Sequence, residues 1–463
     1  MDVGFETIGN ATLICHDKRP ILVTDPWIVG EAYFGSWTLS HEIPEQQMQS
    51  IRSSEYVWLS HGHPDHLSGE SLALLRDKKI LLPDHVGGRI QQDLLAQGFN
   101  VQILPIRSWV QLSDRIRVFC LPDVNQDALL LIDINGKMVA NLNDCADHGW
   151  GASVRKEIRK YKTSYLLSLS GYGDADMINF HGEDGRLIPP HAASGIPPGA
   201  AIAKRCEYFG AKFFLPFSSM HKYQRADSIW ADRYTTKLDD HAKGFASKSA
   251  ELLPAFIGVD CRDGSITRLS PKERVIETKD SKEFGDDWSE RLEADEKAKL
   301  IAYIRAFSHL GRTLDFVNFR VGGEDNRIEF NRNVYHKGIT FEAPKGSIMT
   351  AVQYEIFDDL LIGNFMKTTL VGKWDSAGLY PDFSPYVAKY GDNGKAHTAN
   401  ELSQYFEEYR KRDPIAFVRN IFERQVVRPA QSVSSNFLRN QLGADSRVFN
   451  LAKNAFWAAR KML

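Results

Sequence analysis

The chain has 463 residues, 43% hydrophobic and 25% charged, with Lys+Arg 57 against Asp+Glu 59 and a formal net charge of −2. That balance excludes collagen-like, disordered and disulfide-scaffold chains, and it gives the molecule no polyanion-binding character, so no nucleic-acid partner is expected. The five cysteines, Cys15, Cys120, Cys145, Cys206 and Cys261, are scattered and form no CxxC pair, which points to a reducing, cytoplasmic setting without a structural zinc finger.

At about 150 residues per domain the length suggests about three domains, or one large domain with an appendage. There is no run of about 18 apolar residues to span a bilayer, and Met1-Asp2-Val3-Gly4-Phe5 lacks the basic start of a signal peptide. Residues 5–8, 11–15 and 21–24 read as strands parted by turn residues. Residues 56–60 read as a strand running straight into histidines. Helices are predicted over 68–76 and over 89–97, the second stopped by Gly98, with a strand over 79–82 between them. A dense strand series follows over 101–105, 108–112, 116–121, 128–134 and 137–142, with Asn135-Gly136 as a hairpin turn. The glycine- and proline-rich stretch 171–199 reads as a long loop of the kind that covers a site. A helix over 200–208 and a strand over 212–216 complete a first domain, placed at 1–268.

Residues 269–300 are dominated by charge and read as a linker or solvated helix. A smaller α+β module is placed at 301–463, with a helix over 299–308, strands over 316–321, 327–330 and 348–354, and a helix over 355–361. Phe316, Phe319, Phe330, Phe341 and Phe357 suggest a packed interior, which would shape the substrate pocket or mediate self-association into a homo-oligomer. Residues 411–463 carry ten Lys/Arg against three Asp/Glu. Val448, Phe449, Ala452, Phe456 and Ala459 fall at helical spacing there, which suits a docked helix or peripheral contact with an anionic membrane.

The informative segment is Ser60-His61-Gly62-His63-Pro64-Asp65-His66. A strand that breaks into a Gly/Pro turn aims several side chains at one point, and imidazole and carboxylate at this density suit a borderline transition metal. Asp144 ends the strand over 137–142 and could bridge two cations, and His221 follows the strand over 212–216 as a candidate last ligand.

Together these residues resemble the metallo-β-lactamase superfamily, whose HxHxDH signature is met by His61, His63, Asp65 and His66. The run Ile8-Gly9-Asn10-Ala11-Thr12, followed by Thr24-Asp25-Pro26, is similar to the branch of ascorbate-6-phosphate lactonases and N-acyl-phosphatidylethanolamine phospholipases D, with Asn10 where that branch commonly has histidine. Asp144-Cys145, Leu215-Pro216-Phe217, the 171–195 loop and Leu360-Leu361-Ile362-Gly363 resemble the lactamase-fold part of the CMP-N-acetylneuraminate hydroxylases. The resemblance implies an α/β fold, an αββα sandwich with metals at one sheet edge. His61 and His63 would hold one ion and Asp65 and His66 the other, with Asp144 bridging and His221 completing the second site. The family usually supplies one more histidine before the bridging aspartate, and here Asp123 stands at that spot. The Cys-x-His and Cys-x-x-His pair of a Rieske centre occurs nowhere in the chain.

These residues imply one or two divalent ions, zinc, iron or manganese, with Asp65 as the catalytic group that orients or deprotonates a bound water. The leading expectation is a metal-dependent hydrolase of an ester, amide, lactone or phosphoester bond in a small polar metabolite. An iron oxygenase of a sugar or nucleotide-sugar, fed by a separate redox partner, is the alternative, and a non-catalytic binding protein on the same fold is the third reading. Trp27, Tyr172, Asp174, His181, His191, Lys222 and Arg225 are the candidate substrate-binding residues.

Overall fold

The computed structural model describes residues 1–172, 178–374, 378–379, 383–384 and 394–422. Two sheets stack face to face. The first has eight strands in the spatial order Ile266–Arg268, Ile257–Asp260, Val3–Ile8, Thr12–Asp17, Arg19–Thr24, Tyr56–Trp58, Lys79–Leu82 and Asn100–Ile103. The second has seven, in the order Glu251–Leu252, Phe213–Phe217, Ser164–Leu169, Lys137–Asn143, Ala128–Ile134, Ile116–Pro122 and Trp109–Gln111.

Alternation with period two builds the layers. In Ala128–Ile134, Leu130 and Ile132 face the first sheet and pack with Leu13, Leu22 and Trp58. Leu129 and Leu131 face outward, onto Val154, Ile158, Ile202 and Phe209 of the helices Gly151–Ile158 and Gly199–Phe209. The outer face of the first sheet is covered in the same way by the helices Glu45–Ser53, Gly69–Ala73 and Arg89–Ala96, through Ile51, Leu72 and Leu94. The architecture is therefore an α/β, four-layer αββα sandwich. In each sheet one half is parallel: Arg19–Thr24, Tyr56–Trp58 and Lys79–Leu82 in the first, and Lys137–Asn143, Ser164–Leu169 and Phe213–Phe217 in the second. The carboxyl ends of parallel strands are where α/β sheets place their ligands.

Residues 316–372 form a third sheet, ordered Phe180–His181, Lys367–Gly372, Lys337–Glu342, Phe316–Val321 and Glu324–Glu329. Its edge strand comes from the long loop over 171–199, so this sheet takes chain from both sides of the boundary drawn at 268. Phe319, Phe341 and Phe357 form its aromatic core, with Phe319 and Phe341 ring centroids 5.6 Å apart. The predicted strand over 348–354 is instead part of the helix Lys345–Tyr354. The apolar residues of Ile348–Tyr354 alternate loosely enough to imitate a strand, but Pro344 starts a helix and the buried residues Ser347, Ile348 and Ala351 follow its turn. The charged segment before it is held down by backbone pairing. Lys279 N–H donates to Gln224 O and Arg274 N–H to Ser40 O. Among the described residues no helix is long and apolar enough to cross a membrane. The basic segment around Val448 and Phe456 lies outside the described residues.

Candidate metal centre

Strand ends from both sheets meet at one clamp. Asp25 follows Arg19–Thr24 and is fully buried. Its Oδ1 accepts the Ser60 N–H at 2.8 Å, and its Oδ2 accepts from Asn143 Nδ2 and lies 3.3 Å from His66 Nδ1. Asn143 Nδ2 also donates to Ser60 Oγ at 2.8 Å. Asp25, Asn143 and Ser218, each at a strand end, have φ of 41°, 52° and 57°. Left-handed backbone at non-glycine residues persists only where the surroundings impose it, and it concentrates at functional sites.

The clamp sets the imidazoles. Ser60 Oγ lies 2.8 Å from His61 Nδ1, leaving His61 Nε2 2.8 Å from His63 Nδ1. Asp25 holds Nδ1 of His66, which turns Nε2 toward Asp65 Oδ2 at 3.3 Å and Asp144 Oδ2 at 3.4 Å. A partner on the far ring nitrogen is how proteins fix the tautomer of a metal-ligating histidine. One donor atom each from His61, His63 and Asp144 lies within 4.8 Å of the other two. Two imidazoles and a carboxylate fit a divalent transition ion, and His66 Nε2 lies within 3.4 Å of both Asp65 Oδ2 and Asp144 Oδ2.

The electrostatics agree. Burial, then the neighbouring imidazoles, push His61 well below the usual histidine range, so it presents a lone pair. Burial opposes charge on His66 too, but Asp65 and Asp144 outweigh it and hold His66 well above that range. The carboxylates thus demand positive charge at this spot, and a divalent ion supplies it as a proton does.

Asp65 is held from two sides. Its Oδ1 accepts from Tyr33 OH at 2.6 Å and its Oδ2 from Asn10 Nδ2 at 2.8 Å. Each oxygen accepts one of these bonds and keeps a further acceptor site, so the two donors fix the orientation of the carboxylate. Asn10 explains itself: its amide donates to Asp65 while its Oδ1 accepts Met220 N–H at 2.8 Å, tying the cluster to the turn after Phe213–Phe217. An Asn10→Ala protein should bind metal or turn over 10- to 100-fold less well, about the usual loss for a ligand-supporting residue, and chelator competition checks this.

Asp123 follows Ile116–Pro122, but its Oδ2 lies 2.6 Å from His148 Nδ1, and it clusters with Asp127 and Cys145 rather than with His61 and His63. Burial, then Asp123 and Asp144, push the Asp127 carboxyl up to about 8. The strand end after Phe217 places Ser218 in the centre, its Oγ donating to Asp144 Oδ1 and lying 3.2 Å from His66 Nε2. His221 is three residues further on, stacked on Trp37 with centroids 3.5 Å apart, and among the described residues no metal-competent group includes it.

No protein-family model matches the chain. CMP-N-acetylneuraminic acid hydroxylase of Sus scrofa is 29% identical over 138 residues, 28% of this chain and 31% of that protein. The Danio rerio hydroxylase is 31% identical over 133 residues, 27% of this chain and 22% of that protein. The matched stretch thus spans less than a third of these curated relatives. A Homo sapiens protein named as the inactive hydroxylase matches at 29% over 138 residues. Among solved structures, the isothiocyanate hydrolase from Delia radicum gut bacteria aligns with a TM-score of 0.36 and 13% identity, over 57% of this chain and 99% of that one. CmlA, a diiron β-hydroxylase from Streptomyces venezuelae, aligns at 0.35 and 13%, over 58% of this chain and 54% of that one. The αββα layering seen here is what the resemblance of His61, His63, Asp65 and His66 to the metallo-β-lactamase signature implies. In this αββα sandwich the HxHxDH turn follows Tyr56–Trp58 of the first sheet and Asp144 follows Lys137–Asn143 of the second.

Several of the candidate substrate residues are taken up by contacts within the protein. Trp27 is fully buried, packed with Tyr33, Trp37 and Leu39 and donating to Gly30 O, because the turn after Asp25 folds it inward. Arg225 is also fully buried, its guanidinium taken up by Asp227, Asp286 and Phe34 O, so it cannot reach a substrate. Lys222 donates to Glu273 at 2.6 Å. His181 sits on the edge strand of the third sheet, 2.9 Å from Asn179 Oδ1, and His191 is exposed against the Tyr172 ring. Asp174 lies outside the described residues. Asp25, Asn143 and Ser218 had a legible signal, since each adjoins a predicted strand end. Asn10 was marked by standing where the resembled branch commonly has histidine, Tyr33 had no signal, and nothing marked Asp358, whose Oδ2 lies 3.3 Å from His63 Nε2.

Proposed function

We propose that the chain is a metal-dependent oxygenase that hydroxylates a small polar metabolite of the sugar or nucleotide-sugar class at an iron centre, with electrons from a separate donor protein. The observation that carries this reading is the donor set of His61, His63 and Asp144, two imidazoles and one carboxylate within 4.8 Å of one another. Such sets with open positions are typical of non-haem iron(II) oxygenases. The hydroxylase name of the curated relatives supports the same reading.

His61, His63 and Asp144 would hold one ion, and Asp65, His66 and Asp144 a second. Bound iron supplies the activation of dioxygen. Ser60 and Asp25 orient His61 and His66 from behind, while Tyr33 and Asn10 lock Asp65. Asp127, raised by burial and then by Asp123 and Asp144, lies beside Asp123. Leu121, Cys145 and Trp150, all buried, keep bulk water from that side.

A second reading, metal-dependent hydrolysis, draws on the same observation, because three protein donors with an open position also describe catalytic zinc sites. A bound ion there lowers the pKa of water to about 7. Elemental analysis of protein purified without added metal, combined with oxygen-electrode assays, separates the two. Iron with substrate-dependent oxygen uptake is the expected result. Zinc or manganese with oxygen-independent hydrolysis moves the assignment to the second reading, and metal-free protein with full turnover removes both.

A further inference from the structure

We propose that Asp358, carried by the third-sheet module, is a positioning residue for His63, so that the metal centre is completed from outside the αββα sandwich. The proposal rests on the metal-centre reading above and extends it to a residue that no signature motif contains.

The two other imidazoles of the cluster are oriented by the sandwich itself. Ser60 Oγ holds His61 Nδ1 at 2.8 Å and Asp25 Oδ2 lies 3.3 Å from His66 Nδ1. His63 Nδ1 faces His61 Nε2, so its outward nitrogen is Nε2, which lies 3.3 Å from Asp358 Oδ2 across 295 residues of chain. A neutral imidazole carries one N–H. With Nε2–H donating to Asp358, Nδ1 is left with its lone pair pointing to the position that His61 and Asp144 also face. Asp358 fixes both the tautomer and the ring rotation.

The carboxylate is itself held firmly. Asp358 belongs to the helix Phe357–Ile362. Phe357 beside it is buried in the module's aromatic core, its ring 5.1 Å from Phe341 and 5.9 Å from Phe319. Leu360 and Leu361 are buried in the same cluster. The helix therefore cannot turn Asp358 away without opening that core, and docking of the module is coupled to the geometry of His63. Asp359 is near enough to form a group with His63 and Asp358 within 4.8 Å, so direct ligation by these carboxylates is the competing explanation. Asparagine separates the two, because its Oδ1 still accepts Nε2–H but it is a poor metal ligand.

The test is competition of the full-length protein for zinc(II) against a chromophoric chelator, with ¹⁵N-histidine spectra of the metal-free protein. Asp358→Ala should weaken zinc binding by about 10- to 100-fold, the range typical of a lost ligand-orienting partner. Asp358→Asn should stay close to wild type, and wild-type His63 should carry its proton on Nε2. The proposal is overturned if Asp358→Ala binds zinc as wild type does. It is also overturned if Asp358→Asn is as weak as alanine, or if the wild-type proton sits on Nδ1. The wild-type spectra keep it falsifiable should the alanine variant fail to fold. A wild-type protein that binds no zinc overturns the metal-centre reading instead, and the spectra then decide the His63 contact alone.

Discussion

An Asp144→Asn protein should purify without bound metal and lose turnover by about a thousandfold. In the proposed centre Asp144 would be shared by both ions: its carboxylate is within 4.8 Å of the His61 and His63 donors and 3.4 Å from His66 Nε2. An amide there keeps the shape but removes the anion that balances the ion. Lewis-acid and charge stabilisation by a bound ion contribute several kcal/mol, and at 1.36 kcal/mol per decade about 4 kcal/mol is a thousandfold. The fold should survive, because Asp144 is a strand-end residue and its partner Ser218 can bond to an amide oxygen. Elemental analysis, circular dichroism and turnover on one preparation check all three parts. A metal content equal to wild type would show that Asp144 does not bridge.

Much of the sandwich was legible because its strands are short apolar runs ended by turn residues. Lys79–Leu82 and Ala128–Ile134 fall where such apolar runs place them. Ser164–Leu169 and Lys367–Gly372 escaped, the second with Thr368 and Thr369 among its residues, although strands over 316–321 and 327–330 of the same third sheet were legible. The same division runs through the candidate site. HxHxDH is local, so four side chains could be read from one turn. Asn10, Tyr33 and Asp358 reach the cluster from 55, 32 and 295 residues away, and only the folded chain brings them there. Arg225 shows the opposite error. Next to a candidate ligand it reads as an anion binder, yet the structure spends every part of its guanidinium inside the protein.

That burial makes Arg225→Ala the most damaging single change expected for stability. Nε and Nη2 donate to the two oxygens of Asp227 at 2.9 and 2.8 Å, and Nη1 donates to Asp286 Oδ2 and Phe34 O, each at 2.8 Å. The guanidinium also lies over the Phe365 ring, 4.0 Å from its centroid. Burial opposes the charge, but Asp227 and Asp286 outweigh it and raise Arg225 above its ordinary value. Asp286 in turn accepts Ser347 N–H at 2.8 Å, so Arg225 ties the sandwich to the first turn of the helix Lys345–Tyr354. Removing the cation strands the buried Asp286 and the partly buried Asp227. Breaking a buried pair from one side costs about 3–5 kcal/mol, a large share of the roughly 5–15 kcal/mol that keeps a domain folded. The expected fall in Tm is on the order of 10 °C, at roughly 2–4 °C per kcal/mol for a domain of this size. Arg225→Lys should fall between, because one ammonium cannot reproduce the two-pronged contact with Asp227. Thermal melts of the metal-free proteins separate this role from substrate binding. A substrate-binding arginine would raise KM and leave Tm within a degree or two of wild type. A structural one lowers Tm and, through Phe34 and its neighbour Tyr33, also loosens the hydrogen bond that holds Asp65.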